Sequence, residues 1–400
     1  MSEWKRYKLG ELLRVKHGWA FKGEFFSDTG VQSILTPGNF YESGGFKANP
    51  SKDRFYSGDY PKEYLCSKGD LVVAMTEQAA GLLGSTAIVP EDNRYLHNQR
   101  IGLISCNESL NKYFAYYLFM TQSVRQQISR SASGTKVKHT SPEKINDVQV
   151  DIPKIQTQKN IAFFLSSLDK KIQINNQINQ ELEAMAKTLY DYWFVQFDFP
   201  DQNGKPYKSS GGKMVYHPEL KREIPEGWGV ESVGNLLDKV TKAEKIENNS
   251  IEFVGRIPVI DQSQKYIAGF TNNQSSLIQP QNGHVIFGDH TRVVKFINFD
   301  YARGADGTQV LISNNENISN ILLYHMIEDF DLSNYGYARH FKFLKEKLVI
   351  VPDKKISLKF ANKADVIYKK IRNNIFENQE LNQLRDWLLP MLMNGQVKVE

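Results

Sequence analysis

Four hundred residues allow two or three domains, each large enough to bury a core of its own, and an apolar fraction of 40% with 23 Phe and 19 Tyr excludes a disordered chain. No apolar run is long enough to span a bilayer, and the start MSEWKRYKLGELL has no signal-peptide core, so the expected location is the cytoplasm. Two isolated cysteines, Cys66 and Cys106, lack the spacing of a zinc site or a disulfide framework, and the net charge of +5 permits a nucleic-acid partner without requiring one.

In chain order, a leading Trp and a short helix open the sequence in WKRYKLGEL (Trp4 to Leu12). β-rich sequence with Gly-punctuated turns follows in SILTPGNFYESGGF, DLVVAM and GSTAIVP, and the apolar strand VQVDIP closes it. A long helix is expected from about residue 156 to about 194. The next stretch, FDFPDQNGKPYKSSGGKMVYHPELKREIPEGW, is rich in Gly, Pro, Ser and Lys and reads as a linker. WGVESVGNL (Trp228 to Leu236) then restarts the pattern, followed by IEFVGRIPVIDQSQ, HVIFGD, VVKFINF and KLVIVP, and a second long helix is expected from about 355 to about 393. Whether the strands pair parallel or antiparallel stays open.

The chain therefore reads as one unit written twice. The tetrapeptide NQEL recurs at Asn179 and Asn378, 199 residues apart, and the same offset carries Ile152-Pro153 onto Val351-Pro352. Towards the front the offset grows: Leu103 matches Leu311 at 208, Gly69 matches Gly283 at 214, and Trp4 matches Trp228 at 224. Loops are where such length differences accumulate. The expected class is α+β: recognition domains at 1–152 and 228–352, helices at 153–196 and 353–400, and a linker at 197–227. The first 150 residues carry 19 basic and 15 acidic side chains, whereas 228–353 carry 12 and 15. A nucleic-acid surface on the second domain must then be a local patch.

Both helices show a narrow apolar stripe in steps of three and four, which suits an antiparallel coiled coil. The seam is expected at Leu168, Asn175, Ile178, Leu182, Met185 and Leu189, and at Ile367, Asn374, Leu381, Leu384 and Leu388. Asn175 and Asn374 lie at the helix midpoints. They are expected to face each other where the helices cross and to fix the register.

Motifs for chemistry are missing. The sequence has no GxxxxGK[ST] phosphate loop, no HExxH, no GxSxG and no GxGxxG after a strand. Asn49-Pro50-Ser51 fails as the Asn/Asp-Pro-Pro-aromatic segment of an amino-methyltransferase. PDKK at Pro352 to Lys355 sits at the repeat junction, and His97 reads as a structural histidine.

The residues resemble the specificity subunits of type I restriction-modification systems. The resemblance spans essentially the whole chain. It is carried by the central run from Glu181 to Trp228, by GT...SPEKINDVQVDIPKIQTQKNIAFFLSSLDKKI (Gly134 to Ile172), and by the Leu-Gly-Glu-Leu start. It implies a non-catalytic subunit with two target-recognition domains, each reading one part of a split double-stranded DNA sequence and held apart by two antiparallel helices. It further implies methyltransferase subunits and a restriction/translocase subunit as partners. S-adenosylmethionine and ATP would then bind those partners, leaving no cofactor on this chain. The alternative is a free-standing sequence-specific DNA-binding protein without an enzyme partner.

Base-edge and phosphate contacts need long or amide-bearing side chains on loops. In the first copy the candidates are Thr76, Glu77 and Gln78 after the strand DLVVAM, together with Arg125, Arg130, Lys136, Lys138 and His139. In the second copy they are His290, Thr291 and Arg292, which offset 214 places on the same loop, with Tyr337, Arg339 and His340.

Overall fold

Short Val-, Ile- and Leu-rich runs separated by glycine turns bury both faces only if small sheets pack together, and each copy does this with two larger sheets beside a two-stranded one. The computed structural model describes residues 4–48, 52–134, 137–238, 240, 243–336 and 339–399. It divides into two compact units, Met1–Ile172 with Gln379–Glu400, and Gln173–Asn378.

In the first unit Lys5–Lys8 pairs antiparallel with Gln149–Ile152, so that Lys5 faces Ile152. A four-stranded antiparallel sheet runs in the order Leu13–His17, Ile101–Cys106, Leu71–Ala74, Thr86–Ile88. The second sheet contains one parallel pair, Ser33–Ile34 beside Tyr95–Leu96.

The second unit repeats this plan. Gly229–Ser232 pairs with Leu348–Val351, and Gly229 faces Val351 as Lys5 faces Ile152. Val294–Ile297, His284–Gly288 and Thr308–Leu311 form the matching sheet, and Ile257–Ile260 lies parallel to Tyr301–Arg303. The ladders correct one offset: Val72 faces Leu103 and Ile286 faces Val310, so Leu103 corresponds to Val310 at 207, not to Leu311.

The long helices span Ile155–Tyr190, continued by a π-helical turn Asp191–Val195, and Lys354–Met393. Their seam differs from the expected one by a single step. In the second unit Asn175, Asn179, Leu182, Ala186 and Leu189 turn inward, while Ile178 and Met185 are exposed, Met185 at 59%. In the first unit the position next to Leu384 takes the inward place: Arg385 bonds Asp169 at 2.8 Å, and Leu384 is exposed. Leu168, Leu381 and Leu388 are half-buried, as is Ile367. Apolarity favours Ile178 and Met185 over Asn179 and Ala186. Asn175 and Asn179 are nevertheless held inward by amide partners, and Ala186 is fully buried in the second unit's core.

The expected Asn175–Asn374 contact is replaced by a crossed pair. Asn175 Nδ2 donates to Asn378 Oδ1 at 2.9 Å and to Glu377 Oε2 at 2.8 Å, and Asn374 Nδ2 donates to Asn179 Oδ1 at 2.8 Å. Under the 199-residue repeat these two amide bonds are mates, so the crossing centre lies half a turn beyond the expected position. Asn374→Ala leaves the buried Asn179 oxygen without this donor. It should cost about 1–3 kcal/mol, read as a lower urea midpoint. A loss of only a few tenths would show that the ladder does not hold the pair together.

The segment expected to be a linker is built structure. Met214–His217 and Arg222–Pro225 form a hairpin, and Phe199 stacks on Trp228 at 4.8 Å and on Tyr207 at 4.6 Å. In the first unit Trp4 lies against Gly395, where a Cβ would come within 2.5 Å of its Nε1. Each leading Trp thus receives the end of the helix written in the other copy.

Candidate nucleic-acid interface

Each unit brings a strand-end loop against the segment that precedes its last short helix. In the first, the carbonyl of Met75 accepts Thr140 N at 2.9 Å, and Glu77 N donates to Lys138 O at 2.9 Å. Thr76 is buried, with its hydroxyl 3.1 Å from His139 Nδ1. Glu77 is half-buried and its carboxylate accepts Gly81 N, whereas Gln78 stands in solvent. Arg130, Lys138 and His139 are exposed, and Lys138 reaches Ser129 Oγ at 3.2 Å. Lys136 lies outside the described residues.

Arg125 is placed differently. Its guanidinium donates to the carbonyls of Leu83 at 2.7 Å and Glu42 at 2.5 Å, and burial lowers its pKa to about 10. Its donors clamp the domain's own loops.

In the second unit Asp289 O accepts His340 N at 2.9 Å, the counterpart of the Met75–Thr140 bond. His340 therefore occupies the place of Thr140, and Arg339 that of His139. His340 is buried, with Nδ1 3.0 Å from the same carbonyl, while the Asp289 carboxylate accepts Phe341 N. Sequence alone made His340 a surface donor; it is a post inside the loop. Arg339, His290, Thr291 and Arg292 are exposed, and Tyr337 lies outside the described residues.

Gln262 holds this loop in shape. Its Oε1 accepts His290 N at 3.1 Å, its carbonyl accepts Thr291 Oγ1 at 2.6 Å, and its Nε2 donates to Asp306 O at 3.0 Å. Below it, the buried Lys295 ammonium donates to Asp261 O at 2.8 Å and Lys265 O at 2.5 Å. Burial pulls its pKa down to about 8, against the raising effect of the Asp261 carboxylate. Arg292 itself has φ +64°, the left-handed region that costs an arginine about 1 kcal/mol. An exposed cation kept in a strained backbone conformation by its surroundings is an arrangement that recognition loops use.

Residues that the sequence did not single out complete the first unit's surface. Gln78 opens onto a cleft of about 510 Å³ lined also by Trp19, Lys52, Arg54, Gln99 and Arg100. Its floor is tight: Trp19 N donates to His97 O at 2.8 Å, and a Cβ on Gly18 would sit 2.0 Å from Asn98 O. The available signal was HNQR following a strand, an amide-amide-arginine run like those that read bases. Burial pushes the Cys66 thiol up to about 12 and the Cys106 thiol up to about 11, so both stay protonated at neutral pH.

A family model described as the type I restriction modification DNA specificity domain matches residues 1–184. The chain is 22% identical over 477 residues to the type I restriction enzyme HindI specificity subunit of Haemophilus influenzae, covering 99% of this chain and 100% of that one. It is 25% identical over 312 residues to the MjaIX specificity subunit of Methanocaldococcus jannaschii, covering 72% and 69%. The type I restriction-modification S subunit from M. genitalium shares the fold, with a TM-score of 0.59 and 16% identity over 98% of this chain and 96% of that one.

Proposed function

The chain belongs to the specificity subunits of type I restriction-modification systems, and from that premise we propose that it recognises a two-part DNA target, one part with each domain, and seats methyltransferase and restriction subunits. Sequence-specific DNA recognition is the task of this family, and its catalytic activities lie in other subunits. The observation that carries the two-part reading is the duplicated loop lock, Thr140 N on Met75 O and His340 N on Asp289 O. One scaffold presents two loops with different exposed side chains, Gln78 on one and Arg292 on the other. Two unlike half-sites call for this arrangement.

Exposed apolar residues on the long helices support the seating of partners. Phe163 is 77% exposed and Trp387 65% in the first unit; Met185 and Val366 stand out in the second. Large apolar side chains left in water on a helix suit a protein partner. S-adenosylmethionine and ATP would bind those partners.

The test offers the full chain, co-expressed with its methyltransferase subunit, a pool of random-sequence duplexes. Retained duplexes should share two short blocks at fixed spacing, with the methyltransferase held on the chain. A single block would refute the two-part reading, and selection without the methyltransferase would favour the free-standing DNA-binding protein. Arg292→Ala with Arg339→Ala should weaken binding to the selected sequence at least about tenfold more than to random duplex. Equal losses would reduce both to phosphate contacts.

A further inference from the structure

The first unit's cleft has a charge pattern that its own fold does not use. Lys52, Arg54 and Arg100 line it, no carboxylate does, and among the described residues none of the three cationic side chains makes an ion pair or a hydrogen bond. Elsewhere in the unit Arg6 pairs with Asp151, and Arg94 with Glu91 and Asp53. Three like charges gathered in one concavity repel each other and attract a polyanion. The amides of Gln78 and Gln99 and the exposed ring of Trp19 lie among them. Cations for phosphates, amides for base edges and a flat ring together match a nucleic-acid duplex better than an acidic protein surface, which would leave the amides and the ring unused.

The second unit has no cation at two of these three places. Met75 N bonds Arg100 O where Asp289 N bonds Gly307 O, so Gly307 takes the place of Arg100. The pairings Ser33–Phe55 and Val259–Gly269 likewise place Ala268 where the first unit has Arg54.

We propose that this cleft seats the first domain's part of the DNA target, with Lys52, Arg54 and Arg100 on phosphates and Gln78 and Gln99 on base edges, so that the ionic grip on DNA is carried unevenly, mainly by the first domain. This rests on the reading of the chain as a DNA specificity subunit.

The experiment uses the full chain with its methyltransferase subunit and the duplex selected from the random pool. For the triple variant Lys52→Ala, Arg54→Ala, Arg100→Ala, the slope of log affinity against log salt should fall by about 0.9 per lost contact, close to three in all. The double variant Gln78→Ala, Gln99→Ala should select from the same pool a sequence blurred in one block and unchanged in the other. If the triple variant fails to fold, Arg100→Gln alone should lower the slope by about one. Failure of the wild type to select any sequence would overturn the DNA reading itself. A wild type that selects, beside a triple variant or an Arg100→Gln chain with an unchanged slope, would overturn the cleft alone. Blurring of both blocks together would overturn the assignment of Gln78 and Gln99, and an acidic protein competing for the cleft at equal strength would overturn the choice of DNA.

Discussion

Replacing Phe360 with alanine should destabilise the second unit by about 3–5 kcal/mol. The ring is fully buried on the second long helix and is enclosed by aromatic groups: Phe194 edge-on at 5.2 Å and 89°, Trp193 at 6.3 Å, Tyr190 at 6.2 Å and His325 at 5.6 Å. Removing it forfeits burial of a whole ring and leaves a cavity that these stiff neighbours cannot fill by changing rotamer. Edge-to-face contacts add about 0.5–1.5 kcal/mol per pair, less than additively because the rings touch each other. Urea unfolding of the full chain should show a lower midpoint at an unchanged slope. A loss below about 1 kcal/mol would mean that the site collapses onto the hole and that this ring does not organise the packing.

The repeat was the most legible feature of the sequence, because strand register and helix pairing both depend on periodicity. Offsets of 224 and 199 make Lys5 equivalent to Gly229 and Ile152 to Val351, and the structure pairs both couples alike, in strands where a short helix was expected after the leading Trp. What periodicity misjudged was the identity of the inward residue. Choosing Ile178 over Asn179, and Met185 over Ala186, follows hydrophobicity, whereas Asn179 turns inward because its amide finds a partner in Asn374, and Ala186 is buried in the second unit's core. The short helices Lys112–Leu118, Gln122–Ser131 and Asn320–Ile327 were not anticipated among strand-like segments. Two of them carry cap signals: Asn111 accepts Tyr113 N and Phe114 N, and Ser319 accepts Leu322 N, whereas Gln122–Ser131 has no side-chain cap. Gly, Pro and Lys made 197–227 look like a linker, yet three aromatic side chains, Phe197, Phe199 and Tyr207, are enough to fasten it to Trp228 or to its neighbours.

The candidate surface was legible where it follows a strand and hidden where it depends on tertiary partners. Gln78 and Arg292 sit on loops that the strand pattern locates. Arg125 and His340 carry the right chemistry, but the carbonyls of Leu83, Glu42 and Asp289 claim it, and no local sequence signal shows this. Arg54 and Arg100, 46 positions apart in the chain, meet across a cleft only after the second sheet has formed.

Acid should weaken the first unit through His97, by about 3 kcal/mol between pH 7 and pH 4. The imidazole is fully buried; its Nε2–H donates to Ile101 O at 2.8 Å, and its Nδ1 has no partner. Burial is the main cause that lowers its pKa to about 4; the Ile101 carbonyl opposes the shift, and nearby Lys16 and His17 reinforce it. The unfolded chain takes up this proton near pH 6.5, so between 6.5 and about 4 it binds a proton that the folded unit does not, and stability must fall as pH falls through that window. Protonation would also place an N–H on Nδ1 with no acceptor. Urea unfolding at several pH values should show the fall in the wild type and a flatter profile in His97→Gln, whose amide cannot titrate while the carboxylates of both proteins titrate alike. Parallel profiles would remove His97 as the source. The consequence reaches the cleft, because Trp19 N bonds the carbonyl of His97 and the next three residues are Asn98, Gln99 and Arg100. The first domain's hold on DNA should therefore weaken over the same pH window in the wild type, and His97→Gln should keep a larger share of its own affinity at pH 5.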